Sequence, residues 1–172
     1  MQNAQGNMYI NRGMYAEEIF NRTIKYYQSN GIALIEKRMI PIKIIKNISD
    51  NMIIGKLLDK SLVDYCGCYQ GKHLEFEVKE TNLSKLPMNI IQSHQLAYLH
   101  QVEQHKGFAF LIIYFSLYES FFLIPFPKIN EYVSSHRYKT IPYEEIQKMG
   151  TKLEIIYPGI IDVVSSIKSI IG

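Results

Sequence analysis

Along the chain, stretches with apolar residues every three or four positions alternate with stretches where they recur every second one, the two periods of helix and strand. MYAEEIFNRTIKYYQSNG places Ala16, Phe20, Thr23 and Tyr27 on one helical face, with Glu17 in the first turns and Gly31 as terminator. IALIEKR then predicts a strand and, after Pro41, IKIIKNI a second. SDNMIIGKLLDKSL scatters apolar residues among charged ones without a clean period, which predicts an extension projecting from the core. Its Ile53, Ile54, Leu57 and Leu58 then need a partner, either the body of the fold or a second subunit.

HLEFEVK alternates strictly, with Leu74, Phe76 and Val78 on one face and Glu75, Glu77 and Lys79 on the other. Gly71 and Lys72 predict a turn before it, and the segment around Asp64 returns as its antiparallel partner. ETNLSKLPMN reads as a loop. IIQSHQLAYLHQVEQHKG reads as a helix capped by Ser93, with Leu96, Leu99 and Val102 inward and Gly107 at its end. FAFLIIYF, apolar on both faces, belongs at the centre of a sheet, and FFLIPF follows it. A short helix in KINEYVSSH, a helix initiated by Pro142, a strand KLEIIY and a last helix GIIDVVSSIKSII complete the chain. The irregular alternation predicts an α/β fold, a mixed central β-sheet flanked by helices.

With 172 residues, 47% hydrophobic and 20% charged, the chain is long and apolar enough for one globular domain. Residues 1–11 are polar and predict a flexible arm, leaving 12–172 as the domain. The polar start and the lack of any long apolar run point to a cytoplasmic protein without a membrane partner. Cys66 and Cys68 are too close for an ordinary disulfide and have no partners at zinc spacing, so they read as free strand residues. The net charge of +3 is modest, but between residues 37 and 60 six cations, Lys37, Arg38, Lys43, Lys46, Lys56 and Lys60, face only Asp50 and Asp59. Such an excess suits phosphate neutralisation; a solvated, lysine-decorated hairpin has the same composition.

The chemistry concentrates between Val63 and Lys79, where Asp64 precedes Glu77 and Lys79 in the order Asp, gap, Glu-x-Lys. Two carboxylates beside an ammonium suit a hard divalent cation such as Mg2+ and hydrolysis of a phosphodiester, with lysine offsetting the charge that builds on phosphorus. This is the pattern of the PD-(D/E)xK nucleases, with Val63 at the proline position. A half-exposed strand with a solvated charged face gives the same spacing. His94, His100 and His105 do not share a face as a metal pair would, and Tyr65, Tyr69, Tyr98 and Tyr114 fit core packing as well as base stacking.

Together NRGMYAEEIF, VDYCGCYQGKHLEFEVKET, PMNIIQSHQ, GFAFLIIYF and YPGIIDVV, in this order, resemble RecU, a family of Holliday junction resolvases. The resemblance implies a homodimeric endonuclease with a restriction-endonuclease-like fold, dependent on Mg2+ with Mn2+ as a substitute. It implies paired nicks in four-way junction DNA during homologous recombination and DNA repair, and a protruding stalk, here about residues 41–61. By position, Asp64 and Glu77 become metal-binding carboxylates, Lys79 the transition-state stabiliser and Gln95 a further metal ligand. Glu17 matches a glutamate of the first helix, which the resemblance places among the catalytic residues, and Arg12 an arginine suited to backbone phosphate. The family's threonine before the aspartate is replaced here by Leu62 and Val63, so the Leu62 carbonyl or a water takes its place. The stalk segment is shorter than the family's. A strand-exchange recombinase and a branch-migration helicase are the implied protein partners. Two rival readings remain at this level: a duplex-specific nuclease on the same fold, and a binding protein for branched DNA or a recombinase with a weak site.

Overall fold

The computed structural model describes residues 14–58, 62–136 and 139–171. The expected arm 1–11, Arg12 and Lys60 lie outside them. In chain order the elements are α1 (Met14–Ser29), β1 (Leu34–Lys37), β2 (Ile42–Ser49), β3 (Met52–Leu57), β4 (Tyr65–Tyr69), β5 (Lys72–Thr81) and β6 (Lys85–Pro87). They continue with α2 (Ser93–Gln104), β7 (Phe108–Phe115), β8 (Ser120–Pro125), α3 (Phe126–Ser135), β9 (Thr140–Pro142) and α4 (Tyr143–Met149). The last are β10 (Thr151–Leu153), β11 (Ile155–Ile156), β12 (Ile160–Ile161) and α5 (Val163–Ile171).

A six-stranded sheet in the order β1-β4-β5-β7-β8-β10 forms the centre. Its neighbours run antiparallel except β5 and β7, which are parallel and joined by a crossover through α2. This is the mixed α/β sheet expected, consistent with a restriction-endonuclease-like fold. β7 buries all eight of its residues, as its two-sided apolar run requires. One face of the sheet carries the core packed by α1 and α5, the other the core packed by α2, α3 and α4.

Ala16, Phe20, Thr23 and Tyr27 are all buried, and the two polar members have specific partners. The Thr23 hydroxyl accepts from the Ile161 N–H at 2.9 Å, and the Tyr27 hydroxyl donates to the Ile161 carbonyl at 2.8 Å. Next to them an aromatic ladder crosses three strands: Tyr65 stacks on Phe76 at 5.2 Å and Phe76 on Phe110 at 4.5 Å, with Phe20 edge-on at 5.2 Å. Because a one-residue slip would turn every one of these rings to the opposite face, the ladder fixes the register of β4 against β5.

Several local expectations need correction. The β4–β5 turn is Gln70–Gly71, both at positive φ, and Lys72 already belongs to the strand. Gln92 rather than Ser93 caps α2, through a reciprocal box with Gln95. At its other end Lys106, not Gly107, takes the left-handed conformation, whereas Gly107 is needed because a Cβ there would meet Val102 Cγ1 at 2.6 Å. The loop after β5 contains β6, paired with β9. KLEIIY splits into β10 and β11, and GII forms β12 ahead of a shorter last helix. The segment without a clean period is half of a hairpin: β3 pairs with β2 alone, and every residue of both is exposed. It projects as expected, as a strand.

Candidate active site

Two structural facts bring the candidate residues together. The aromatic register sets the end of β4 beside the middle of β5, so that Asp64 lies next to Glu77. The strand's period of two then turns Glu75, Glu77 and Lys79 toward α2, whose first turn supplies Gln95. The expected charged face is therefore not solvated: Glu75 and Glu77 are fully buried and Lys79 half-buried. That excludes the half-exposed strand with a solvated face.

Glu77 is the hub. Its Oε2 accepts the Asp64 backbone N–H at 2.9 Å, while its Oε1 accepts from the Gln95 amide at 2.7 Å and from the Lys79 ammonium. Burial pushes the Glu77 carboxyl up to about 7; Lys79 pulls it down, and the neighbouring Asp64 pushes it up again. Negative charge is thus confined where one ammonium offsets it incompletely. A divalent cation with oxygen ligands fits this donor chemistry, since it would offset the remaining charge of both carboxylates. Among the described residues no group of three His, Cys, Asp or Glu side chains converges on one point, so Asp64 and Glu77 need other oxygens to complete a shell. Gln95 is buried where a shell would form, but its Oε1 accepts the Gln92 N–H at 3.0 Å within the helix cap. Its NH2 side faces Glu77, so ligation through oxygen requires the amide to leave the cap. Leu62 is exposed two positions before Asp64.

A second polar group adjoins the first. Glu75 accepts from Arg38, through Nε at 3.3 Å and through Nη2, and from the Tyr98 hydroxyl at 2.9 Å, with His73 Nε2 at 3.0 Å. The Arg38 backbone N–H donates to the Asp64 carbonyl at 2.8 Å, tying this group to the first. Burial and the bond to Glu75 raise the Tyr98 phenol, which keeps it a donor. Sequence reasoning missed Glu75 as a buried partner: it is in phase with Glu77, but its counterion lies thirty-seven positions away. Arg38, expected at phosphate, has its guanidinium committed to Glu75. Lys37, also expected there, pairs with Glu17 and lies over the Tyr65 ring at 5.9 Å, so these two expected residues meet each other.

Lys43, Lys46 and Lys56 stand apart on the hairpin. Lys43 lies directly opposite Lys56, and Lys46 opposite Ile54, on one face; Ile42, Ile44, Ile53 and Leu57 occupy the other. Like charges in register repel, so this arrangement favours an anionic partner over the free hairpin. The histidines of α2 form no cluster, Tyr65 and Tyr69 are core residues, and both cysteines are free. No helix among the described residues is long and apolar enough to cross a membrane.

Comparison with known proteins gives the same direction. The family model described as recombination protein U matches residues 11–169. The chain is 38% identical to the Holliday junction resolvase RecU of Ureaplasma parvum, over 88% of this chain and 89% of that protein. It is 36% identical to the protein of that name from Mycoplasmopsis pulmonis, over 94% and 97%, and 33% identical to that of Geobacillus kaustophilus, over 94% and 86%.

Proposed function

The chain belongs to the recombination protein U family, and on that premise we propose that it is a Mg2+-dependent endodeoxyribonuclease that resolves Holliday junctions by paired symmetric nicks, acting as a homodimer. The observation that carries the chemistry is Glu77, fully buried yet in contact with Asp64, Lys79 and Gln95. A site that concentrates carboxylate charge in this way suits a cation and a phosphodiester better than it suits folding alone.

Asp64 and Glu77 would hold the metal, with the Leu62 carbonyl and the Gln95 oxygen as candidates to complete its shell. When bound, Mg2+ would polarise the phosphodiester and make water a better nucleophile at neutral pH; Mn2+ accepts the same oxygen donors. The protein's own groups divide the remaining work. Glu77 fixes the Asp64 backbone through its N–H and so aims the carboxylate that follows. Lys79 holds an ammonium at the site, where it stabilises negative charge developing on phosphorus. Glu17 keeps Lys37 at the edge of the site. The lysine face of the hairpin binds backbone phosphates, and its apolar face, exposed among the described residues, is a surface for the second protomer.

The test is cleavage of a synthetic mobile four-way junction beside a linear duplex of equal length, with Mg2+ or EDTA, by the native chain and by Asp64→Asn. Symmetric Mg2+-dependent nicks confined to the junction, lost in Asp64→Asn with binding retained, are expected. Equal cutting of the duplex would replace the assignment with a general nuclease, and binding without cutting under every metal would replace it with a binding protein.

A further inference from the structure

The face of β5 that carries Glu77 continues past Glu75 to His73, and α2 runs beside it from Gln95 through Tyr98 to His105. Two residues of strand rise roughly 7 Å, so this polar lane extends roughly 13 Å from Glu77 to His73. At its end lies a cleft of about 540 Å³ between the β4–β5 turn and the turn that ends α2. Lys72, His73, Tyr98, Gln101, His105 and Lys106 line it, and no carboxylate does. Neither Lys72 nor Lys106 has an ion pair among the described residues, in contrast to Lys37, Arg38 and Lys79 nearer the cut.

Both turns are built to hold these groups in place. Gln70 and Gly71 form a tight two-residue turn that leads directly into Lys72. Lys106, one of the residues lining the cleft, adopts φ +65, a conformation that glycine or asparagine takes with less strain. Next to it, a Cβ at Gly107 would meet Val102 Cγ1 at 2.6 Å, so glycine is needed where the chain turns from α2 into β7. Tyr98 is immobilised from below, because its hydroxyl donates to Glu75 and accepts from Arg38 at 3.0 Å. The cleft therefore offers cations and a fixed aromatic wall in line with the catalytic groups.

We infer that this cleft is a nucleotide subsite for the strand being cut: it binds the backbone phosphate of a nucleotide a few positions from the scissile bond between Lys72 and Lys106, with the sugar and base against Tyr98. The inference rests on the nuclease reading for its direction, since the lane leads away from Asp64 and Glu77. Phosphate is the chemistry of choice because two ammonium groups without an ion pair among the described residues line one cavity that no carboxylate lines, and a nucleic-acid strand following this lane from the site would carry a phosphate there.

The test measures binding, so that it does not depend on turnover. Affinity for a four-way junction is followed by fluorescence anisotropy over a series of salt concentrations, with Ca2+ in place of Mg2+. The proteins are the native chain, Lys72→Gln/Lys106→Gln, and Lys72→Arg/Lys106→Arg. Junctions bearing one neutral methylphosphonate at successive positions from the branch point are bound in parallel. Loss of one phosphate contact in each of two protomers is expected to lower the slope of log affinity against log salt by about 2 in the glutamine pair, and arginine restores it. A methylphosphonate at one position per strand weakens the native chain and leaves the glutamine pair unaffected. An unchanged slope, or a position scan that affects both proteins alike, overturns the subsite. If the glutamine pair melts early, the scan with the native chain decides: no sensitive position outside the hairpin footprint overturns the proposal. A native chain that shows the lysine-dependent slope but cuts nothing in Mg2+ retains the subsite and loses the nuclease reading. One that cuts junctions with no such slope loses the subsite alone.

Discussion

At the residue scale, burying Glu77 beside Asp64 ties folding to protonation. The carboxyl goes from its ordinary 4.5 to about 7 on folding, with burial as the main cause. Between those values the folded chain holds a proton that the unfolded chain has released, so stability is highest below about pH 4.5 for this group and is lost as pH rises through 7. The loss amounts to about 3 kcal/mol at most. In EDTA, melting temperature should therefore fall from about pH 5 to about pH 8, Glu77→Gln should flatten that slope, and added Mg2+ should restore stability at the upper end. A slope that persists in Glu77→Gln would assign it elsewhere. Glu75 behaves differently, because Arg38 pairs with it directly. Arg38→Ala leaves a buried carboxylate without its counterion and should cost about 3 kcal/mol in urea unfolding, most of which Arg38→Met/Glu75→Gln should recover. If the double variant is no more stable than Arg38→Ala, the cost lies in lost packing and not in charge.

At the element scale, what could be read from sequence follows how strongly packing imposes a period. β5, β7, α1 and α2 each bury a face or two, so their apolar spacing named them. Asp64, Glu77 and Lys79 were legible for the same reason: alternation on β5 and a returning β4 already put them together. The burial of Glu75 and the cap held by Gln95 were not, since a carboxylate on a polar face reads the same whether water or an arginine thirty-seven positions away satisfies it. β3 was missed because all of its residues are exposed, which leaves its pattern free of any period. β12 was absorbed into the helix after it because two residues of strand are too few to show alternation. A hairpin outside the core should be separable from it. Lys43→Gln/Lys46→Gln/Lys56→Gln should leave the melting temperature within about 2 °C of native while lowering the salt slope of junction affinity by about 5, three contacts from each of two protomers. An unchanged slope would remove the hairpin lysines from the DNA interface.

At the scale of the whole molecule, the proposed reaction asks for two cuts, while the described residues bring one candidate site together. Asp64, Glu77 and Lys79 sit together on a single sheet, and the proposed chemistry uses this one group in each chain. On the proposed function paired nicks come from two chains, whose two-fold relation would match that of the two strands cut. This gives a prediction that neither protomer alone could satisfy. If native and Asp64→Asn chains are unfolded together in equal amounts and refolded, about half of the dimers should be mixed by simple statistics. A mixed dimer binds a junction as the native one does but can nick only one strand. Singly nicked junctions, rare with the native dimer, should then accumulate in proportion to the mixed fraction, with resolved duplexes falling as the square of the native fraction. If the two chains instead act independently, resolution should recover on longer incubation and the nicked species should be transient. Time courses on a denaturing gel, with each arm labelled in turn, distinguish the two behaviours, because only obligate pairing leaves the nicked junction trapped under the inactive protomer.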